Sequence, residues 1–579
     1  MLVSRVFSRY SLPAMKLVEY PFRYLPAGLS AGDWDAAAPV LDELERRAIP
    51  DAAALERWLE DWSELQAAVG EEGSRRYVAM TCHTDDPAIE KRYLDFETGF
   101  MPRLKPRAQA LKAKFLAHPA RGGLPRGRYG EFDRNTASEA ALFRDANVPL
   151  EARDAELAQQ YQKICGAMTV VFDGGERTLP WMGKVLEETD RARRQTAFEL
   201  LSGRRLRDRD AIEAVYDELV DVRTRTGRNA GFANFRDYAF PARGRFDYAP
   251  ADCDRYAEAV ERLVVPLLRE RHERRRRSLG VDRLRPWDLA VDPKGRPPLR
   301  PFETADRLIE GCARIFRKVD PELGDQFGAI RARGYLDLDS RKGKAPGGYQ
   351  TTFDVERMPF IFMNAAGLQR DVETLLHEGG HAFHAIHGRG HTLAFNRGAP
   401  LEFCEVASMS MELIGAEHLD EFLTPDEVRR ARAQHLEGMV DLFAWIATID
   451  QFQHWVYTNP GHSRAARREA WLAGKRRFGG GEDWSGREEA LAFQWHRQGH
   501  LFGSPFYYIE YAIAQIGALQ VWLNARRDRA GAIRKYREAL SLGWTRPLPE
   551  LFAAAGVRFG FDASILGPLV EAIAKEFED

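Results

Sequence analysis

Four long stretches set the terms for this chain. They are DAAALERWLEDWSELQAAVGEE (51–72), DDPAIEKRYLDFETGFMPRLKPRAQALKAKFLAH (85–118), DRARRQTAFELLSGRRLRDRDAIEAVYDELVDVRTRTG (190–227) and PADCDRYAEAVERLVVPLLRERHERRRRSLG (250–280). Each carries apolar residues three and four positions apart, the spacing that lines one face of a helix. A helix of this kind must bury its apolar stripe, and short breaks between long helices make neighbours stack antiparallel. The expected fold class is therefore mainly α. With 579 residues, 44% of them hydrophobic, the chain exceeds what one small core accommodates, and two or more lobes are expected. The expected division is an N-terminal helical lobe over residues 15–185 and a second helical domain over 186–579, breaking before LEETDRARR.

Two places depart from the helical pattern. MTVVFDGGERTLPWM (168–182) has a β-branched run, then Asp-Gly-Gly, then a second extended run, which reads as a hairpin. PGGYQTTFDVERMPFIFMNAAG (346–367) reads as two further short strands. GKRRFGGGEDWSG (474–486), with its cluster of glycines, is expected to be a mobile loop. No internal repeat at a fixed period is visible.

Charge and cysteine usage narrow the function classes. Lysine plus arginine number 84 against 86 aspartate plus glutamate. This balance gives no support to a nucleic-acid partner. The basic block RERHERRRRSLG (269–280) is expected to be the solvated face and C-terminal end of a helix. The five cysteines, Cys82, Cys165, Cys253, Cys312 and Cys404, are widely spaced with no C-x-x-C pair. That favours neither a disulfide framework nor a cysteine–zinc knuckle, and points to a reducing, cytoplasmic compartment. No run of eighteen uncharged apolar residues suggests a membrane span. The first fourteen residues read as an N-terminal extension, with Met15 as an alternative start; a vague transit-peptide character competes with that reading.

ETLLHEGGHAFHAIHGRGH (373–391) concentrates five of the chain's 14 histidines. Within it stands His377-Glu378-Gly379-Gly380-His381. On a helix, residues four apart lie one turn above each other, so both imidazoles can reach one ion, while Glu378 sits about 100° round, beside it. Chance would produce this pattern on the order of 0.03 times at this histidine content. The adjacent glycines cost roughly 1 kcal/mol each relative to alanine in a helix, so a second helix is expected to pass close to the backbone there. A third ligand has two possible sources. His387 could serve if the helix ended early, but His384 occupies the place where a glycine would end it, and a continuing helix turns His387 away. Alternatively, a downstream helix, PLEFCEVASMSMELIGAEHL (400–419), offers Glu402, Glu405 and Glu412. Two histidines and one glutamate leave a fourth position open to water, the arrangement of catalytic rather than structural zinc, and with Glu378 alongside they suit amide hydrolysis.

A second concentration of polar aromatics is WHRQGHLFGSPFYYIEYAIAQIGALQVW (495–522). His500, Tyr507, Tyr508 and Tyr511 are residue types that can donate to a developing oxyanion, although an aromatic stripe at helical spacing is more often core packing. HEGGHAFH, EFCEVAS and HLFGSPFYYIEYAIAQ together resemble the zinc oligopeptidases of the thimet oligopeptidase and oligoendopeptidase F group, most of all the bacterial oligoendopeptidase F and Pz-peptidase branch. Weaker matches at GRNAGFANFRDYAF, RPWDL, APGGYQTTF and PFIFMNAAG extend the resemblance over roughly residues 165–575.

The resemblance implies one Zn²⁺ per chain held by His377, His381 and Glu405, with Glu378 as general base. It matches His500 to the histidine placed over substrate, and Tyr508 and Tyr511 to the tyrosine pair, with Tyr507 an alternative donor. It further implies two helical lobes enclosing a deep substrate channel, a small β-sheet beside the zinc, and short peptides as substrates. A peptide is expected to add as a strand along an edge near Phe362, Asn364 and Ala365. A carboxypeptidase on a similar scaffold, or a non-catalytic zinc-containing peptide binder, are the rival readings.

Overall fold

The computed structural model describes residues 20–577 except Pro346; the expected extension over 1–14 lies outside the described residues. Helices dominate, and five strands are described. In chain order these are β1 (Thr169–Phe172), β2 (Gly175–Thr178), β3 (Leu336–Asp339), β4 (Tyr349–Phe353) and β5 (Met358–Ala365). The chain forms two compact units, each assembled from three stretches. The first comprises the stretch up to Ala140, Arg300–Arg430 and Gly517–Phe559; the second comprises Ala141–Leu299, Ala431–Ile516 and Gly560 onward. A linear division at residue 185 does not follow these units. Helices distant in sequence bury their stripes together, and the chain returns to each unit three times.

In the first unit the Ala52–Cys82 helix is capped by Asp51, whose side chain accepts from the Ala54 N–H, supplying one of the acceptors a helix start lacks. Its inward face carries Trp58, Leu59 and Trp62, packed with Phe96, Phe115 and Phe132. Glu71 on the same helix accepts from the Val355 and Glu356 amides (2.7 and 3.1 Å), fixing the helix to the turn between β4 and β5. The three-stranded sheet has the order β3-β5-β4, with β5 parallel to β3 and antiparallel to β4. The strand expected to offer an edge, β5, is therefore the centre of the sheet. β3, whose sequence LDLD is short and charged, had no sequence signal of its own.

Directly after β5 the histidine helix runs from Gln369 to Gly388. Asp371 in its first turn accepts from the Ala366 and Leu368 amides (2.7 and 2.9 Å) and places negative charge at the helix's positive end. The glycine pair has a physical reason. A Cβ on Gly380 would lie 2.6 Å from both the Ala407 carbonyl oxygen and the Ser408 Cα, and one on Gly379 would strike the Phe316 ring. The expected covering helix is Leu401–Gly415. Its own Gly415 faces Leu376, whose methyls would be 3.0 Å from a Cβ there. Small residues at both ends of the crossing let the two backbones approach.

In the second unit β1 and β2 form the expected hairpin, Thr169 opposite Thr178, with Asp173 and Gly174 both at positive φ in the turn. The basic block closes the Val265–Ser278 helix and pairs with Glu273 and Glu437. Not all arginine is solvated: Arg194, Arg223 and Arg467 are among the largest fully buried side chains. Each is matched, Arg223 by Asp154 (2.6 Å), Tyr457 Oη and the Leu501 carbonyl (both 2.8 Å), as an interior charge requires. The glycine-rich segment differs from expectation. Gly474 lies inside the Arg464–Phe478 helix, and only the chain from Gly479 leaves it. Asp483 there is held by Arg283 and Arg285 (3.1 and 3.0 Å).

The helix crossing generates a paired prediction. Gly380→Ala is expected to cost about 1–3 kcal/mol through overpacking. Gly438→Ala, in the Pro425–Thr458 helix where a Cβ meets nothing within 4 Å, should instead gain about 0.5–1 kcal/mol. Urea denaturation of both variants checks the opposite signs; a neutral Gly380→Ala would show that the close crossing does not limit stability.

Candidate metal centre

His377 and His381 stand one turn apart on the Gln369–Gly388 helix, and Glu405 reaches them from the Leu401–Gly415 helix. The His377 and His381 Nε2 atoms are 3.2 Å apart, and Glu405 Oε2 is 3.4 and 3.6 Å from them. Ligands around a tetrahedral zinc at about 2.0–2.1 Å are separated by about 3.3 Å. The three donors therefore fit one small divalent ion. Glu405 is fixed by Ser408, whose hydroxyl donates to Oε2 at 3.0 Å. The carboxylate is 8% exposed by residue, so a cation is the natural balance for its charge.

The other face of His377 is held by a residue the sequence reading did not assign. Nδ1–H donates to Glu412 Oε1 at 2.6 Å, which orients the ring so that Nε2 faces His381 and Glu405. Burial alone would push the His377 imidazole down. The Glu412 hydrogen bond and charge, followed by Glu405 and Glu378, outweigh it and raise the group to about 9. For His381, burial and the neighbouring His377 act together and hold it well below the usual histidine range. It is neutral and available as a ligand. The signal for Glu412 was present: it lies two helical turns from Glu405 on the same face.

Glu378 is 6% exposed and has its carboxyl raised to about 7, chiefly by burial and then by the Glu405 and Glu412 carboxylates, with His377 opposing. It also makes a hydrogen bond with the Gln350 amide of β4. A carboxylate poised near neutrality, beside a metal site, is suited to take and return protons.

The remaining histidines of the cluster go elsewhere. The helix continues through His387, whose Nε2 lies 3.3 Å from the Gln326 side-chain amide. His384 is 4% exposed against Phe403, and burial lowers both it and His387 to about 4. His391 Nε2 donates to the Ser541 carbonyl at 2.9 Å. Phe362 is fully buried, stacked on Tyr349 with ring centroids 4.8 Å apart, and the Asn364 amide is spent on the Ala345 and Gly347 carbonyls (2.7 and 3.0 Å). Strand addition at β5 is thus closed by pairing on both sides. Among the described residues β4 pairs only with β5, and its Gln350 amide meets Glu378.

In the second unit His500, Tyr507, Tyr508 and Tyr511 do cluster, with the His500 ring centroid 5.4, 5.1 and 5.9 Å from the three tyrosines in turn. Gln498 Nε2 donates to His500 Nδ1 at 2.7 Å, so Nε2 carries the proton and reaches the Tyr511 hydroxyl at 3.5 Å. Burial, then Arg243, lowers His500 below the usual histidine range, which keeps it a neutral donor. Tyr508 is 9% exposed and bonds with Trp445 and Gln498, leaving Tyr511 and Tyr507 the more accessible phenols.

Glu412→Gln is expected to weaken metal binding by about 10–100-fold through misorientation of His377. Competition with a chromophoric chelator measures this; an unchanged affinity would show that the Nδ1 contact does not orient the ligand.

The profile of Peptidase family M3 matches residues 185–568, well over half of the chain and including the whole centre. Oligopeptidase PepF of Bacillus subtilis (strain 168) is 24% identical over 327 residues, 54% of this chain and 46% of that protein. An oligoendopeptidase F homolog of Borreliella burgdorferi is 23% identical over 300 residues, 50% and 49% of the two chains. The chain thus aligns with about half the length of these curated relatives. Among solved structures, Pz peptidase A with an inhibitor superposes with a TM-score of 0.86 at 27% identity, over 96% of this chain and 98% of the other. A candidate oligoendopeptidase F from Bacillus anthracis str. Ames superposes at 0.81 with 25% identity, over 98% and 97%. Profile, fold and the His-Glu-x-x-His helix with its downstream glutamate lead to one assignment: the chain belongs to Peptidase family M3.

Proposed function

We propose that this protein is a zinc-dependent endopeptidase that hydrolyses internal bonds of short, unstructured peptides. The observation that carries this reading is the convergence of His377 Nε2, His381 Nε2 and Glu405 Oε2 within 3.2–3.6 Å of one another, with the Glu378 carboxyl buried alongside. The names of the matched relatives, oligopeptidase PepF and oligoendopeptidase F, support the substrate class.

Zinc held by His377, His381 and Glu405 supplies Lewis acidity toward the scissile carbonyl and a lowered pKa for water. The protein's own groups do the rest. Glu378, raised to about 7, takes a proton from the attacking water and returns it to the leaving amine. Gln350 on β4 orients the Glu378 carboxyl through its amide. The neutral His500 and the Tyr511 phenol, clustered in the second unit with Tyr508 and Tyr507, are the groups suited to donate to a carbonyl oxygen that gains negative charge. A peptide lies extended along the β4 edge, in place of the β5 edge expected from sequence, gaining main-chain hydrogen bonds there.

Two outcomes test this reading. Glu378→Gln should keep stoichiometric metal by atomic absorption yet lose about 10²–10⁴-fold in turnover; a variant that cleaves peptides at the parental rate contradicts the assigned base. On a mixed peptide pool read by mass spectrometry, C-terminally amidated peptides should be cut as well as free acids and intact casein should survive. Strict dependence on a free C-terminus would instead identify a carboxypeptidase.

A further inference from the structure

The second unit holds a group of side chains that the proposed chemistry does not use. Asp450 and His454 stand one turn apart on the Pro425–Thr458 helix, and Cys253 faces them from the Pro250–Ala259 helix. Their donor atoms, Cys253 Sγ, a carboxylate oxygen of Asp450 and a ring nitrogen of His454, all lie within 4.8 Å of one another. All three residues are buried: Cys253 is 0% exposed, Asp450 1% and His454 6%.

Burial on this scale demands partners, and Asp450 and His454 lack hydrogen-bond partners. Neither oxygen of Asp450 and neither nitrogen of His454 makes a hydrogen bond. Their closest approach is His454 Nε2 to Asp450 Oδ2 at 3.4 Å. An interior carboxylate without donors is costly, and an unpaired buried imidazole adds to that cost. The separation of 3.4 Å, however, is close to the roughly 3.3 Å between two ligands of one tetrahedral ion. It equals the distance between His377 Nε2 and Glu405 Oε2 at the other centre.

We infer that Cys253, Asp450 and His454 form a second metal site, for a thiophilic divalent transition ion such as zinc. A thiolate and a carboxylate carry two negative charges, which a divalent ion neutralises, and the neutral imidazole completes three ligands. Binding releases the thiol proton to solvent. A thiolate selects zinc, cobalt or iron over magnesium and calcium. The fourth position falls to a buried water. Burial, aided by the Asp450 charge, otherwise keeps the Cys253 thiol protonated. Arg245 is the nearby cation that acts on Asp450, and its own charge is taken up by Glu510 at 2.7 Å. The aromatic rings of Phe240 and Phe506 lie 6.3 and 5.6 Å from the His454 ring, an apolar surround for the site. An ion here would clamp two helices far apart in sequence.

The thiolate gives a signature that a centre of two histidines and a glutamate cannot produce. Chelator-stripped full-length protein titrated with Co²⁺ is expected to bind about two equivalents per chain, one at each site, and one of them should bring a near-ultraviolet sulfur-to-cobalt charge-transfer band. In a His377→Ala, His381→Ala double variant the band should persist with one equivalent bound, which separates this inference from the proposed function. Cys253→Ser and, independently, Asp450→Asn should each lose one equivalent, the first also losing the band. A single equivalent without any charge-transfer band in the parental protein would overturn the inference, as would a band that survives Cys253→Ser. Should a substitution in the cluster prevent folding, the parental protein and the double variant still decide the question.

Discussion

The close crossing of the Gln369–Gly388 and Leu401–Gly415 helices is the interaction on which the rest of the centre depends. His377 and His381 come from one helix and Glu405 from the other, so the space between their donors is set by how near the two backbones lie. That nearness is permitted only because Gly380 meets Ala407 and Ser408 without a side chain between. The helical cost of adjacent glycines is thus offset by a crossing that brings the His377, His381 and Glu405 donor atoms within 3.2–3.6 Å of one another. Tyr536, whose hydroxyl donates to the Ala407 carbonyl at 2.8 Å, satisfies a backbone acceptor at the contact.

Electrostatics follows from that packing. Three carboxylates, Glu378, Glu405 and Glu412, lie around two imidazoles in a poorly solvated region. Burial, and then repulsion from Glu405 and Glu412, raises Glu378 to about 7, while Glu412 holds His377 through Nδ1. The two glutamates of the Leu401–Gly415 helix meet different sides of His377, Glu405 beside Nε2 and Glu412 at Nδ1. Seven residues of helical spacing separate them, which returns both to one face.

Much of this was legible in the sequence because the signals are local. Helical periodicity, the four-residue spacing of His377 and His381, the Asp-Gly turn between β1 and β2, and the need for a helix over the glycine pair are each read within one or two turns of chain. The misses are non-local. Strand order is a property of the sheet, so nothing in PFIFMNA distinguishes the centre of β3-β5-β4 from its edge. The units draw on three separate stretches each, so no single break in composition marks them. The spacing of Asp450 and His454 was visible, but Cys253 lies far upstream and joins them only in the folded unit. Arg194, Arg223 and Arg467 carry no local mark of burial, because the carboxylates that match them, Asp288, Asp154 and Glu213, lie far away in sequence.

The central assignment places one divalent ion among His377, His381 and Glu405 with a position left open. Anomalous diffraction at the zinc absorption edge, from crystals of metal-loaded protein, addresses this directly. The expected result is a peak about 2.0–2.2 Å from both Nε2 atoms and a Glu405 oxygen, with no fourth side chain bound. A loaded protein with no peak among these three residues, or with a fourth side chain closing the site, would contradict it.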